Sequence, residues 1–185
     1  MNKQFIDINL TSISYNSNAL IKNSWLVLLH YKRIPPHVGM IVNGNYNSLT
    51  IKGQETNIGL QVLNKTIQQK KIDACFIQLE KQPVFSADYQ LEILQHYIKQ
   101  FKSVQANYAT CLSPIKLFLN EFYGLEIITN ELLFELIIRL DTNKFILNYM
   151  SNSQNNNSKT LQLPCYTNNQ LQEIILSETQ ITHKI

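Results

Sequence analysis

A near-continuous apolar stretch at Trp25–Tyr31, a hairpin signal at Asn43-Gly44 and amphipathic helical spacing between strand-like segments together predict an α+β domain, its antiparallel sheet packed against helices. The chain has 185 residues, 44% of them hydrophobic, which is enough to bury a core and excludes a largely disordered protein. The formal net charge is +3, and Arg33 and Arg139 are the only arginines among 16 basic residues, so bidentate reading of phosphates is scarcely available. No basic stripe stands out, and a dedicated nucleic-acid binder is not expected.

Asn16 to Asn23 is read as a short helix, and Trp25–Tyr31 (WLVLLHY) as a central strand covered on both faces. Ile34-Pro35-Pro36 then breaks regular structure, because neither proline offers an N–H, and the chain enters His37 extended. The segment HVGMIVNGNYNSLTIKG reads as two strands joined at Asn43-Gly44, the dipeptide suited to the two positive φ angles of a type I′ turn. With a two-residue loop, opposed positions sum to 87: Val42 faces Asn45, Gly39 faces Ser48 and His37 faces Thr50. The small Gly39 and Ser48 are expected to leave room beside the histidine.

Gly53 closes the hairpin, and Ile58, Val62, Leu63 and Ile67 recur at helical spacing. Ala74–Leu79 (ACFIQL) is a strand, and Ser86 caps a helix whose buried stripe is Leu91, Leu94, Tyr97, Ile98 and Phe101. From Cys111, the apolar positions Ile115, Phe118 and Phe122 place the cysteine at the start of the inward face of a helix that Pro114 opens and Gly124 ends. Thr129 or Asn130 caps a further helix through Leu140, whose stripe Leu132, Leu133, Leu136, Ile137 and Leu140 suits either the core or a partner. Lys144–Met150 is a strand and closes a domain over residues 1–150. Residues 151–185 are expected to be an Asn/Ser-rich linker (SNSQNNNS) and a C-terminal tail, in which Leu171, Ile174 and Ile175 form a short amphipathic helix.

Cys75, Cys111 and Cys165 form no CxxC pair, and this odd set in a chain without an export signal reads as reduced thiols of a cytoplasmic protein. No run is long and apolar enough for a membrane span. Cys75 and Cys165 are read as structural thiols. Cys111 differs, since a helix N-terminus and a neighbouring imidazolium both lower a thiol's pKa, and His37 on a strand edge is the candidate partner. Taken alone, Cys111 is a small buried residue on an apolar helix face and His37 a hydrogen-bonded strand-end histidine. Their combination is what points to chemistry.

This order of elements resembles the circularly permuted branch of the NlpC-like, papain-like cysteine hydrolases, which includes relatives of lecithin retinol acyltransferase. The likeness covers roughly His37 to Tyr123: a strand His37-Val38-Gly39-Met40-Ile41-Val42, a return strand, a helix near Gly59–Lys70, a strand near Phe76, and the entry Tyr108-Ala109-Thr110-Cys111 to a last helix. The resemblance implies a permuted papain-like fold, with Cys111 as the nucleophile on an acyl carbonyl, His37 as base and then acid, and backbone N–H groups stabilising the oxyanion. It also implies an acyl or peptide-like substrate bearing an amide, ester or thioester. A polar residue on the return strand orients the histidine in such enzymes, and Thr50 stands at the matching position. Its hydroxyl carries no charge, and under another register Ser48, Asn47, Gln54 or Glu55 takes the role. With the third residue degenerate, the same fold serves as a non-catalytic binding module.

His30 and His37 have no further Asp, Glu, Cys or His at metal-ligand spacing, so no metal site is expected. Gly-rich phosphate loops, GxSxG and HExxH are absent from the sequence, and no cofactor is expected.

Overall fold

The computed structural model describes residues 4–153 and 160–182. Eight strands and five α-helices follow one another as β1 (Phe5–Asn9), β2 (Trp25–Leu29), β3 (His37–Val42), β4 (Asn45–Thr50), β5 (Gly53–Gly59), α1 (Leu60–Gln69), β6 (Ala74–Leu79), α2 (Ala87–Lys99), α3 (Ser113–Tyr123), α4 (Leu133–Thr142), β7 (Ile146–Ser151), β8 (Thr160–Pro164) and α5 (Asn168–Thr182). A 3-10 turn at Ser17–Ile21 takes the place of the expected first helix. The main sheet has six strands in the order β5-β4-β3-β2-β6-β7, every neighbouring pair antiparallel. The protein is therefore α+β, as its sequence predicts.

β2 lies inside the sheet and buries both faces, with Trp25, Leu26, Val27 and Leu28 all fully inaccessible. Leu26, Leu28, Val38, Met40 and Ile77 point to one face, against α2, α3 and α4; Trp25, Val27, Ile41 and Phe76 point to the other, against α1 and the 3-10 turn. The β3–β4 hairpin turns through Asn43 (φ 50°) and Gly44 (φ 71°), and its register pairs Val42 with Asn45 and Gly39 with Ser48, as the arithmetic requires. α2 is capped by Ser86, whose hydroxyl accepts from the Tyr89 N–H, and α3 ends at Gly124 in the left-handed region.

Several expectations change. Residues 53–59 are a strand, so Ile58 belongs to β5 and not to the helix that follows. Val62 points outward, 60% exposed, because Leu63 and Ile67 turn α1 toward the sheet. Neither Thr129 nor Asn130 caps α4: the helix begins at Leu133, and the Leu132 N–H is met by the Glu135 carboxylate at 2.7 Å. The loop before it is held by Lys116 Nζ, which donates to the carbonyls of Ile128 and Glu131, both at 2.8 Å. The α4 stripe is buried within the chain.

Of the segment read as linker and tail, residues 154–159 lie outside the described residues. Beyond them β8 pairs antiparallel with β1 in a two-stranded sheet. α5, the amphipathic helix expected there, buries Leu171 and Ile175 with Leu49, Val104, Leu132 and Tyr166. Among the described residues, no helix is long and apolar enough to cross a membrane.

Candidate functional site

β3 begins with His37 immediately after the Pro35-Pro36 break, at the end of the sheet where the β3–β4 ladder has already stopped at Gly39 and Ser48. Far later in sequence, the chain turns tightly at Thr110–Ser113. The Ser113 N–H meets the Thr110 carbonyl at 3.1 Å, the Thr110 N–H donates to Ser113 Oγ at 2.9 Å, and Thr110 Oγ1 accepts from the Leu112 N–H at 3.2 Å. Cys111 sits in this turn, two residues before α3 starts. His37 and Cys111 line one cavity of about 670 Å³, together with Tyr46, Thr50, Glu55 and Thr110. Its walls are largely apolar: Leu29 and Ile72 on the sheet side, Leu63 of α1, Val104, and Leu171 and Ile175 of α5.

The electrostatics of the pair follow from burial. The Cys111 thiol is pushed up from its ordinary value by desolvation, while the polar backbone of Val38, Cys111 itself and Leu112 acts the other way. For His37, burial comes first and lowers the imidazole; the Glu55 carboxylate opposes it and His30 adds to it. Both groups are thus neutral at rest, whereas the helix start and the imidazole were expected to lower the thiol. The local amides do favour the thiolate, but loss of water outweighs them.

Thr50 lines the cavity, but its hydroxyl is committed elsewhere: it donates to the Gly53 carbonyl at 2.9 Å and accepts from the Lys52 N–H at 3.2 Å, closing the β4–β5 turn. Asn47 is spent on the Asn45 carbonyl and the Asn57 N–H, and Gln54 on the Phe101 carbonyl. Glu55 remains. Ser48 Oγ donates to its Oε2 at 2.9 Å, and its charge acts on His37. Its charge acts there because β5, not recognised as a strand from sequence, pairs Glu55 with Ser48 on the His37 face.

A residue that sequence reasoning passed over is Tyr46. The space beside His37 that Gly39 was expected to leave open is filled by the Tyr46 ring: a Cβ on Gly39 would lie 2.4 Å from its Cε2 and 2.6 Å from its hydroxyl. The signal was present, because the 87 register puts residue 46 on the same face as His37. Tyr46 is buried at 1% exposure, and its hydroxyl has no hydrogen-bond partner; it lies near Ser48 but outside hydrogen-bond geometry. His37 Nε2 is likewise buried without a partner.

The other singled-out residues lie apart from this chemistry. Cys75 is fully buried in β6, Cys165 follows β8 as a free thiol, and Tyr108 is 68% exposed with its ring edge-to-face on Phe101. His30 lines the mouth of the cavity and is exposed. Among the described residues, no group of three or more His, Cys, Asp or Glu is placed to hold a metal ion.

Comparison with family models, with curated proteins and with solved structures finds no match to this chain.

Proposed function

We propose that the protein is a cysteine hydrolase or acyltransferase acting on an amide, ester or thioester, with Cys111 as nucleophile and His37 as base and then acid. The observation that carries this reading is that residues 74 positions apart in sequence, His37 and Cys111, line one cavity. The resemblance to permuted papain-like enzymes runs in the same direction. Because thiol and imidazole are both neutral at rest, His37 removes the thiol proton as the carbonyl arrives, rather than holding a preformed ion pair. The backbone amides at the sulfur favour the thiolate as it forms. Glu55, carried by Ser48, replaces Thr50 as the group that supports the imidazolium, since it brings the negative charge that threonine lacks. The apolar walls favour a substrate whose acyl portion is itself apolar.

The test is covalent capture. Wild-type protein incubated with p-nitrophenyl butyrate is expected to gain one butyryl group on Cys111 by intact mass and peptide mapping. Cys111→Ala should gain none there, and His37→Ala should acylate about 10²–10⁴-fold more slowly. Burial that keeps both groups neutral also suits the second reading, a binding module of the same fold. That reading is what remains if the wild type stays unmodified.

A further inference from the structure

Two polar atoms are stranded together on the site face of the sheet. His37 Nε2 and Tyr46 Oη are both buried and both lack a hydrogen-bond partner, and both residues line the cavity that Cys111 lines. Native structures leave few buried polar atoms unsatisfied, because each costs roughly 1–3 kcal/mol. Here the cost recurs on one face of one strand pair, on either side of the Gly39–Ser48 pair, where a ligand atom can supply what the protein does not.

The two atoms differ in what they lack. His37 already has its part in the proton transfers. Tyr46 has none, yet it is placed with precision: its ring occupies the volume of the missing Gly39 side chain, with the hydroxyl within 2.6 Å of where that Cβ would be. Gly39 is one residue from Val38, whose backbone favours the Cys111 thiolate. The hydroxyl therefore lies over Gly39, two residues along β3 from His37, in the wall of the cavity that Cys111 also lines.

We infer that the Tyr46 hydroxyl is a catalytic hydrogen-bond donor to the carbonyl oxygen of the acyl substrate, completing an oxyanion site with the backbone N–H of Cys111. The inference rests on the reading of Cys111 and His37 as an acyl-transfer pair. In the step it serves, the Cys111 sulfur forms a bond to the carbonyl carbon and the C=O π pair moves onto oxygen. His37 carries the thiol proton to the leaving group as the C–X bond breaks, leaving a thioester. Tyr46 donates a hydrogen bond to the transient O⁻ and keeps its proton throughout. Burial raises the phenol well above its ordinary value, so it stays a donor at every working pH.

The experiment compares two reactions of the same sulfur in wild type and Tyr46→Phe. Acylation by p-nitrophenyl butyrate passes through an oxyanion; alkylation by iodoacetamide, a displacement at saturated carbon, does not. Tyr46→Phe is expected to slow Cys111 acylation roughly 10²-fold while leaving alkylation within about twofold. Unchanged acylation in the variant overturns the role of Tyr46 while leaving the Cys111–His37 reading intact. An equal fall in both reactions also overturns it, because Tyr46 would then act on the thiol and not on the oxyanion. Wild-type protein that alkylates at Cys111 but never acylates overturns the acyl-transfer reading, and this inference falls with it.

Discussion

Gly39→Ala tests the packing on which the site is built. The added methyl would stand 2.4 Å from Tyr46 Cε2, 2.6 Å from its hydroxyl and 2.7 Å from Cζ. Carbon atoms in good contact lie about 3.5–4.0 Å apart, so the ring must retreat by more than about 1 Å. It has little room to do so, being almost completely buried in the cluster of Trp25, Val27, Ile41 and Leu63. Overpacking of this kind costs about 1–3 kcal/mol, and the stiffer unfolded chain of alanine returns about 0.4–1 kcal/mol. The net expectation is about 1–2 kcal/mol, or a fall in Tm of roughly 2–8 °C for a chain of this size. A double-mutant cycle with Tyr46→Leu, read by urea denaturation, isolates the contact: removing the ring should relieve most of the Gly39→Ala penalty, giving a coupling of about 1 kcal/mol. If Gly39→Ala costs the same in both backgrounds, Tyr46 does not occupy the glycine's space and the placement of its hydroxyl is wrong.

Other consequences follow from burial and charge. The folded His37 imidazole is held below its ordinary value of 6.5, so its contribution to stability is present above that pH and is lost as pH falls through the lowered value; urea midpoints across acid pH should decline, and decline less in His37→Gln. Glu131, 4% exposed, accepts two hydrogen bonds from Arg139 at 2.6 and 2.8 Å and lies 3.8 Å from Lys116 Nζ. Glu131→Ala leaves both cations without that carboxylate and should cost about 3–5 kcal/mol by denaturant melt. Ile175→Ala should destabilise by about 2–4 kcal/mol, because α5 is packed into the same cluster as β4 and Leu132; a loss below about 0.5 kcal/mol would mean that the helix does not dock as described.

What was legible in the sequence is what local chemistry dictates. The Asn43-Gly44 turn fixed the hairpin register to the residue, and Ser86 and Gly124 marked helix ends through their capping geometry. β5 escaped because GQETNIG is an edge strand with mostly polar side chains, so no apolar alternation announces it. β1 and β8 do alternate, with Ile6 and Ile8 in one and Leu161 and Leu163 in the other, but each is five residues long and their pairing spans almost the whole chain. The missed strand had a direct cost at the site. Without β5, Glu55 was one of four alternatives under another register, and Thr50 stood as the orienting residue by the resemblance and the hairpin register.

The site is also marked by where the fold accepts a penalty. Among the described residues, four buried side-chain atoms lack hydrogen-bond partners: Trp25 Nε1, His37 Nε2, Tyr46 Oη and Asn148 Oδ1. The two that line the cavity share a sheet face, and the same cavity is lined by a cysteine whose thiolate the backbone around it favours. A binding module could satisfy such atoms with any small polar ligand, but it would have no use for amides at the sulfur, which help only when negative charge develops there. Burial works against that charge in the resting protein, so the arrangement is useful only if a substrate draws the proton away. If Tyr46→Phe melts no lower than wild type, its hydroxyl contributes nothing to folding. A simultaneous loss of acylation would then assign the hydroxyl to the reaction, because a group kept for packing cannot be dispensable to the fold and essential to the chemistry.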